Sequence, residues 1–176
     1  MIFKSKQQLD RERPEFLPLP SDDYELIITN LEPMTRNRYM AKPNKDGKIP
    51  QEEIFRVTLE IVAFRDGGNA IDIRGNDATG RKIFFTLRPN SMGFQQDGTP
   101  SKSRTLVAYA TNQNVEDEIE LDDWQDLIGK TIFAEIIQYT NSKGKIGNKI
   151  SRFLLPPKSK RQPIVDIKDE EIPIIE

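Results

Sequence analysis

The stretch "EIFRVTLEIVAF" at residues 53–64 constrains the fold more than any other part of the sequence. Phe55, Val57, Leu59, Ile61 and Ala63 fall on every second position. Ile54, Arg56, Thr58, Glu60, Val62 and Phe64 alternate with them as a mixed face. A period of two puts the first set on one side of an extended chain, whereas a helix would scatter it around its axis. One apolar and one mixed face describe a half-buried antiparallel strand, because parallel strands are buried on both faces. The following "RDGGN" reads as a hairpin turn by its glycines.

The same period recurs along the chain. "YELIITNLE" (24–32) places Tyr24, Leu26 and Ile28 on one face. "RKIFFTLRP" (81–89) opposes Ile83, Phe85 and Leu87 to Lys82, Phe84, Thr86 and Arg88. "TIFAEIIQY" (131–139) and "IGNKISRFLL" (146–155) complete the set, and "AIDIR" (70–74) is a weaker, shorter candidate strand. Residues 33–51, "PMTRNRYMAKPNKDGKIPQ", hold three prolines and no period, so a long loop is expected there. "SKSRTLVAYATNQ" (101–113) reads as a short helix capped by Ser101 or Ser103, with Leu106, Val107 and Ala110 inward. "ELDDWQDLIGK" (120–130) reads as a further helical turn. Asp122 and Asp123 stand at its start and Gly129 at its stop, and Trp124, three and four residues before Leu127 and Ile128, is expected in the core.

The resulting order is three strands, helix, two strands. It predicts a mainly β protein, a five-stranded OB-fold-like antiparallel barrel with one or two short helices between strands three and four. Residues 1–22 are expected to form an extended N-terminal arm, 23–156 an OB-fold-like nucleic-acid-binding domain, and 157–176 a flexible basic linker with an acidic tail.

Several chemistries are argued against. The chain has no cysteine and no histidine, which removes disulfides, thiol catalysis, the commonest zinc ligands and the most usual general base. "GNDATGRK" (75–82) approaches a phosphate-binding P-loop. However, Arg81 stands where the lysine belongs, Lys82 replaces the magnesium-holding hydroxyl, and the segment joins two strands instead of opening a helix. Asp72 and Asp77 read as turn acids. The expectation is a protein that is not an enzyme and uses no cofactor and no metal. No run approaches the roughly 18 apolar residues of a membrane span, and the first residues have no apolar core of a signal peptide. A cytoplasmic protein without membrane partners is expected.

Net charge is −2, but it is unevenly spread. Asp166, Asp169, Glu170, Glu171 and Glu176 near the C-terminus face a single base, Lys168. Arg36, Arg38, Lys42, Lys45 and Lys48 in the first loop face a single acid, Asp46. Local charge governs electrostatic steering more than the total does. Binding of single-stranded nucleic acid needs cations for phosphates and aromatic faces for bases. The candidate residues are Lys82, Phe84 and Arg88 in one outward row, Arg56 on the neighbouring strand, Arg36, Arg38, Tyr39 and Lys42 in the first loop, and Lys143 and Lys145 in the last hairpin. In an OB-fold the loops between strands one and two and between strands four and five flank the binding face.

The C-terminal residues Asp169, Glu170, Glu171, Ile172, Pro173 and Ile174 resemble the tip of bacterial single-stranded DNA-binding proteins, an acidic run ending in Asp-Ile-Pro-Phe. Here Ile174 stands in place of the phenylalanine, and Ile175 and Glu176 follow it. The body, from "YELIITNLE" through "EIFRVTLEIV", "GRKIFFTL" and "LIGKTIFAEI" to "SRFLLP", is similar in pattern to small OB-type single-stranded DNA-binding proteins of phages and mobile elements. The resemblance implies sequence-independent binding and protection of single-stranded DNA, with the tail recruiting replication or recombination proteins. RNA as ligand and self-association into a homo-oligomer are left open. The alternatives are an OB-like protein-interaction module, such as a phage structural or assembly adaptor, and an RNA-binding module.

Overall fold

A computed structural model describes residues 1–5 and 17–160. The strands are β1 (Asp22–Asn37), β2 (Gln51–Phe64), β3 (Lys82–Leu87), β4 (Thr131–Thr140) and β5 (Ile146–Leu154). The helix α1 (Lys102–Ala110) lies between β3 and β4. They form one five-stranded antiparallel sheet in the order β3-β2-β1-β4-β5. Trp124–Leu127 adds a short 3-10 turn before β4.

β1 organises the sheet. Its first residues, Asp22 to Ile27, pair with β4, while Tyr24 to Asn37 pair with β2. Its register with β2 shifts between Glu25 and Leu26 and again between Ile28 and Asn30, and such irregularities bend a strand and increase its twist. The alternation read from sequence closes the core: Tyr24, Leu26, Ile28, Val57, Leu59, Ile61, Leu87, Ile132, Ala134 and Ile136 are all buried together. The Tyr24 hydroxyl donates to Pro20 O at 2.8 Å, and burial, aided by Asp22, pushes its pKa up to about 12. The two edge strands approach through side chains: Phe85 of β3 and Phe153 of β5 meet edge to face, ring centroids 5.0 Å apart. Among the described residues no backbone ladder joins β3 to β5, so the sheet is not closed into a barrel by hydrogen bonds.

Two expectations are corrected. The segment 33–51 is not one long loop, since β1 runs to Asn37 and β2 begins at Gln51, leaving 38–50 as the loop. Met34, Thr35 and Arg36 pair with Ile54, Glu53 and Glu52, so the strongly alternating β2 recruits a partner that has no period of its own. Pro33 is tolerated because pairing with β4 ends at Ile27, which leaves that side of β1 without a ladder to break. "AIDIR" is not a strand but carries one bridge, Ile71 to Asp77. The Asp72 carboxylate turns the chain there, accepting from Arg74 N at 2.8 Å, Asn76 N at 3.0 Å and Asn76 Nδ2 at 3.2 Å.

α1 is capped by Ser101, whose hydroxyl accepts from Arg104 N at 3.1 Å. Ser103 instead accepts from Arg88 N at 2.9 Å and so ties the helix to the end of β3. Leu106, Val107 and Ala108 are buried, and Ala110 is half-buried. Trp124 is half-buried and packs on Phe55 with centroids 5.4 Å apart.

The segments on either side of the strands, 17–21 before β1 and 155–160 after β5, are seated on the sheet. Leu19 is buried, with its N–H on Asn148 Oδ1 and its carbonyl accepting from Gln138 and Asn148. Beyond β5, the Leu155 carbonyl accepts from Arg65, and Lys160 pairs with Glu25 of β1 at 3.0 Å.

Candidate nucleic-acid interface

Directly opposed residues of antiparallel strands share a face. The β2–β3 register pairs Glu60 with Lys82, Thr58 with Phe84 and Arg56 with Thr86. The β1–β2 register adds Arg36 beside Glu52, Met34 beside Ile54, Glu32 beside Arg56 and Asn30 beside Thr58. All of these lie on the side opposite Val57, Leu59 and Phe85, so β1, β2 and β3 present one continuous outer face. Phe84 is 49% exposed there. The Arg56 guanidinium sits over its ring, 3.9 Å from the centroid.

The electrostatics of this face are mixed. Lys82 and Arg56 are exposed. Arg36 and Arg88 converge on Glu52, which is only 3% exposed. Arg36 Nε donates to Glu52 Oε1 at 2.9 Å and Arg88 Nη2 donates to Oε2 at 3.0 Å. Hydrogen bonding from Arg88 holds the Glu52 carboxyl below its ordinary range; burial opposes this, and Arg36 reinforces it. Glu32 and Glu60 interleave with the remaining cations.

The 38–50 loop caps the β1–β2 ribbon. Arg38 N donates to Pro50 O, and Asn44 Oδ1 accepts from Asp46 N and Lys48 N to fold the tip. Arg38, Tyr39 and Lys42 are exposed on it, Tyr39 at 82%, and Met40 takes a left-handed φ of 55°. At the ribbon's base lies a shallow groove lined by Met34, Ile54, Phe55, Pro89 and Trp124.

The candidates do not all come together. Arg36, Arg56, Lys82, Phe84 and Arg88 share the outer face, with Arg38, Tyr39 and Lys42 at its far end. Lys143 and Lys145 are exposed on the β4–β5 turn, which lies beyond the start of β1, at the opposite end from the ribbon tip. Asn141 Oδ1 accepts from the backbone N–H of both. Asp169, Glu170, Glu171, Ile172, Pro173 and Ile174 lie outside the described residues. A further cation is committed to structure: Arg104 donates to the carbonyls of Val115, Met92 and Asp117 and lies over Phe94.

Glu52, Met34 and Ile54 belong to the face but were not among the sequence candidates. Their place depends on the register between β1 and β2, and a segment with no period gives no signal of it. No protein-family model matches the sequence, and a search of curated proteins returns no match.

Proposed function

We propose that this protein binds single-stranded DNA, with little sequence preference, on the outer face of β1, β2 and β3, and that its sheet works as a partly open OB-type barrel. The strand order, the helix between β3 and β4, and the approach of the two edge strands through Phe85 and Phe153 support the OB reading. The acidic residues 169–174 are proposed to recruit replication or recombination proteins. One observation carries the binding reading: a half-exposed Phe84 ring with the Arg56 guanidinium stacked on it, in a row that includes Lys82 and Thr86. Aromatic rings and guanidinium planes both stack on bases, and neighbouring cations take the phosphates.

Fluorescence anisotropy with labelled dT and rU oligomers at two salt concentrations tests the reading. The expected result is binding to dT that weakens steeply with salt, the logarithmic slope changing by about 0.7 per phosphate contact. Tighter binding of rU would turn the reading towards RNA. The interleaved Glu32, Glu52 and Glu60 favour one other reading, an OB-like module for protein contacts. Absence of oligomer binding, or binding that is flat with salt, would select it.

A further inference from the structure

An almost fully buried carboxylate on a face proposed to meet phosphates is an electrostatic cost unless it does something there. Glu52 occupies that position, on β2 between Arg36 of β1 and Arg88 just beyond β3. Each carboxylate oxygen accepts from a different arginine, so the acid spans three strands' worth of the face. The bonds use one edge of each guanidinium. Arg36 engages through Nε, and its two Nη groups have no partner among the described residues; Arg88 engages through Nη2. Both arginine side chains remain 39% exposed while that of Glu52 is 2% exposed. The trio carries a net single positive charge, so it still attracts an anion. A guanidinium fixed at one edge also presents its exposed donors in a defined direction, without the rotamer freedom of an unheld arginine; in Arg88 these do not include Nε, which is buried.

Resting on the single-strand reading above, we infer that Glu52 is a positioning residue, which holds Arg36 and Arg88 as a preformed fork for a backbone phosphate of the bound strand. A guanidinium's planar fork suits the two oxygens of a phosphodiester, and a lysine at the same place supplies charge without that geometry.

Three variants, Glu52→Gln, Arg36→Lys and Arg88→Lys, are compared with the unaltered protein by dT-oligomer anisotropy across a salt series, with thermal melting as the control for folding. Glu52→Gln removes a negative charge from the face, so simple electrostatics would tighten binding. The expected result is the reverse: a loss of about tenfold, the usual effect of one charge-assisted hydrogen bond, and a shallower salt slope. Arg36→Lys and Arg88→Lys keep the charge, and each is expected to weaken binding several-fold. Combining Glu52→Gln with Arg36→Lys is expected to cost less than the sum of the two, as for groups acting through one contact. Tighter binding by Glu52→Gln, or unaltered affinity in both lysine variants, would overturn the inference. If Glu52→Gln melts below the assay temperature, the two lysine variants decide, since both arginines are partly exposed. Loss of affinity in Phe84→Ala with none in these three would overturn the fork and leave the single-strand reading standing. No binding by the unaltered protein would remove both.

Discussion

The outer side of the sheet has two halves, and each carries a phenylalanine in the outward strand phase. On the β1–β2–β3 half, Phe84 is 49% exposed and touched by one arginine. On the β1–β4–β5 half, Phe133 pairs with Glu25 on one side and Leu154 on the other, yet it is 5% exposed. The chain that leaves β5 returns towards this half: the Lys160 ammonium lies 5.9 Å from the Phe133 ring centroid and bonds Glu25, and Arg65 reaches across to the Leu155 carbonyl. Two positions with the same strand phase thus have opposite fates: among the described residues, the chain beyond β5 approaches Phe133, and Phe84 stays half exposed. The open half is the one that carries the arginine–aromatic stack and the arginine pair.

The largest effect expected from this contrast is on stability. Phe133→Ala should lower the unfolding free energy by about 3 kcal/mol, as for a buried aromatic, while Phe84→Ala should lower it by under about 1 kcal/mol. Urea denaturation of the two variants side by side measures the difference, and equal losses would mean that the two faces are not distinct. Next comes the converse in binding. Phe84→Ala should weaken dT-oligomer affinity by about 1–3 kcal/mol, the worth of one stacked base, and Phe133→Ala, assayed where it is folded, should leave it nearly unchanged.

A smaller effect is expected at the ribbon. Replacing Arg36 and Arg38 together by alanine should weaken binding to every sequence alike and reduce the salt slope by up to about two units, read from anisotropy against salt for several oligomers. Loss confined to particular sequences would mean that these arginines read bases.

The smallest effect concerns acid. Glu52, on the open face, is held below its ordinary 4.5 by Arg88 and Arg36. Asp72, in the β2–β3 connection, is held below 3.8: burial raises it, but the N–H groups of Asn76 and Arg74 outweigh that effect. Asp77 and Asp97 are lowered by Thr79 and Thr99 respectively. A depressed carboxyl stabilises the fold above its unfolded pKa, and that contribution is lost as pH falls through the lower folded value. Melting temperature should therefore be insensitive to these groups at neutral pH and fall below about pH 4.5, with a gentler fall in Glu52→Gln than in the unaltered protein.

The strands were legible wherever one face is buried and the other wet, because burial imprints a period of two. The inward set Tyr24, Leu26, Ile28, Val57, Leu59 and Ile61 and the outward Phe84 against inward Phe85 follow from that period alone. The helix start was legible from its serines, although capping chemistry could not say that Ser101 would cap α1 while Ser103 would bind β3. The β1–β2 ribbon was not legible, since 33–37 is held in extended form by pairing with β2 and not by its own composition. By sequence Arg36 reads as a loop cation for the same reason, and its pairing with Glu52 depends on register. Nothing local distinguishes Phe133 from Phe84 either, because Lys160, which lies over the Phe133 ring, is distant in sequence.

The contrast between the two faces is tested most directly by ultraviolet crosslinking of the full chain to a dT oligomer, followed by mass-spectrometric mapping of the joined peptides. The expected crosslinks fall on the 82–88 segment at Phe84, with Tyr39 of the ribbon tip as a second site, and they disappear at high salt. Crosslinks at Phe133 or elsewhere on β4 and β5, with none on β3, would contradict the assignment of the open face as the binding surface.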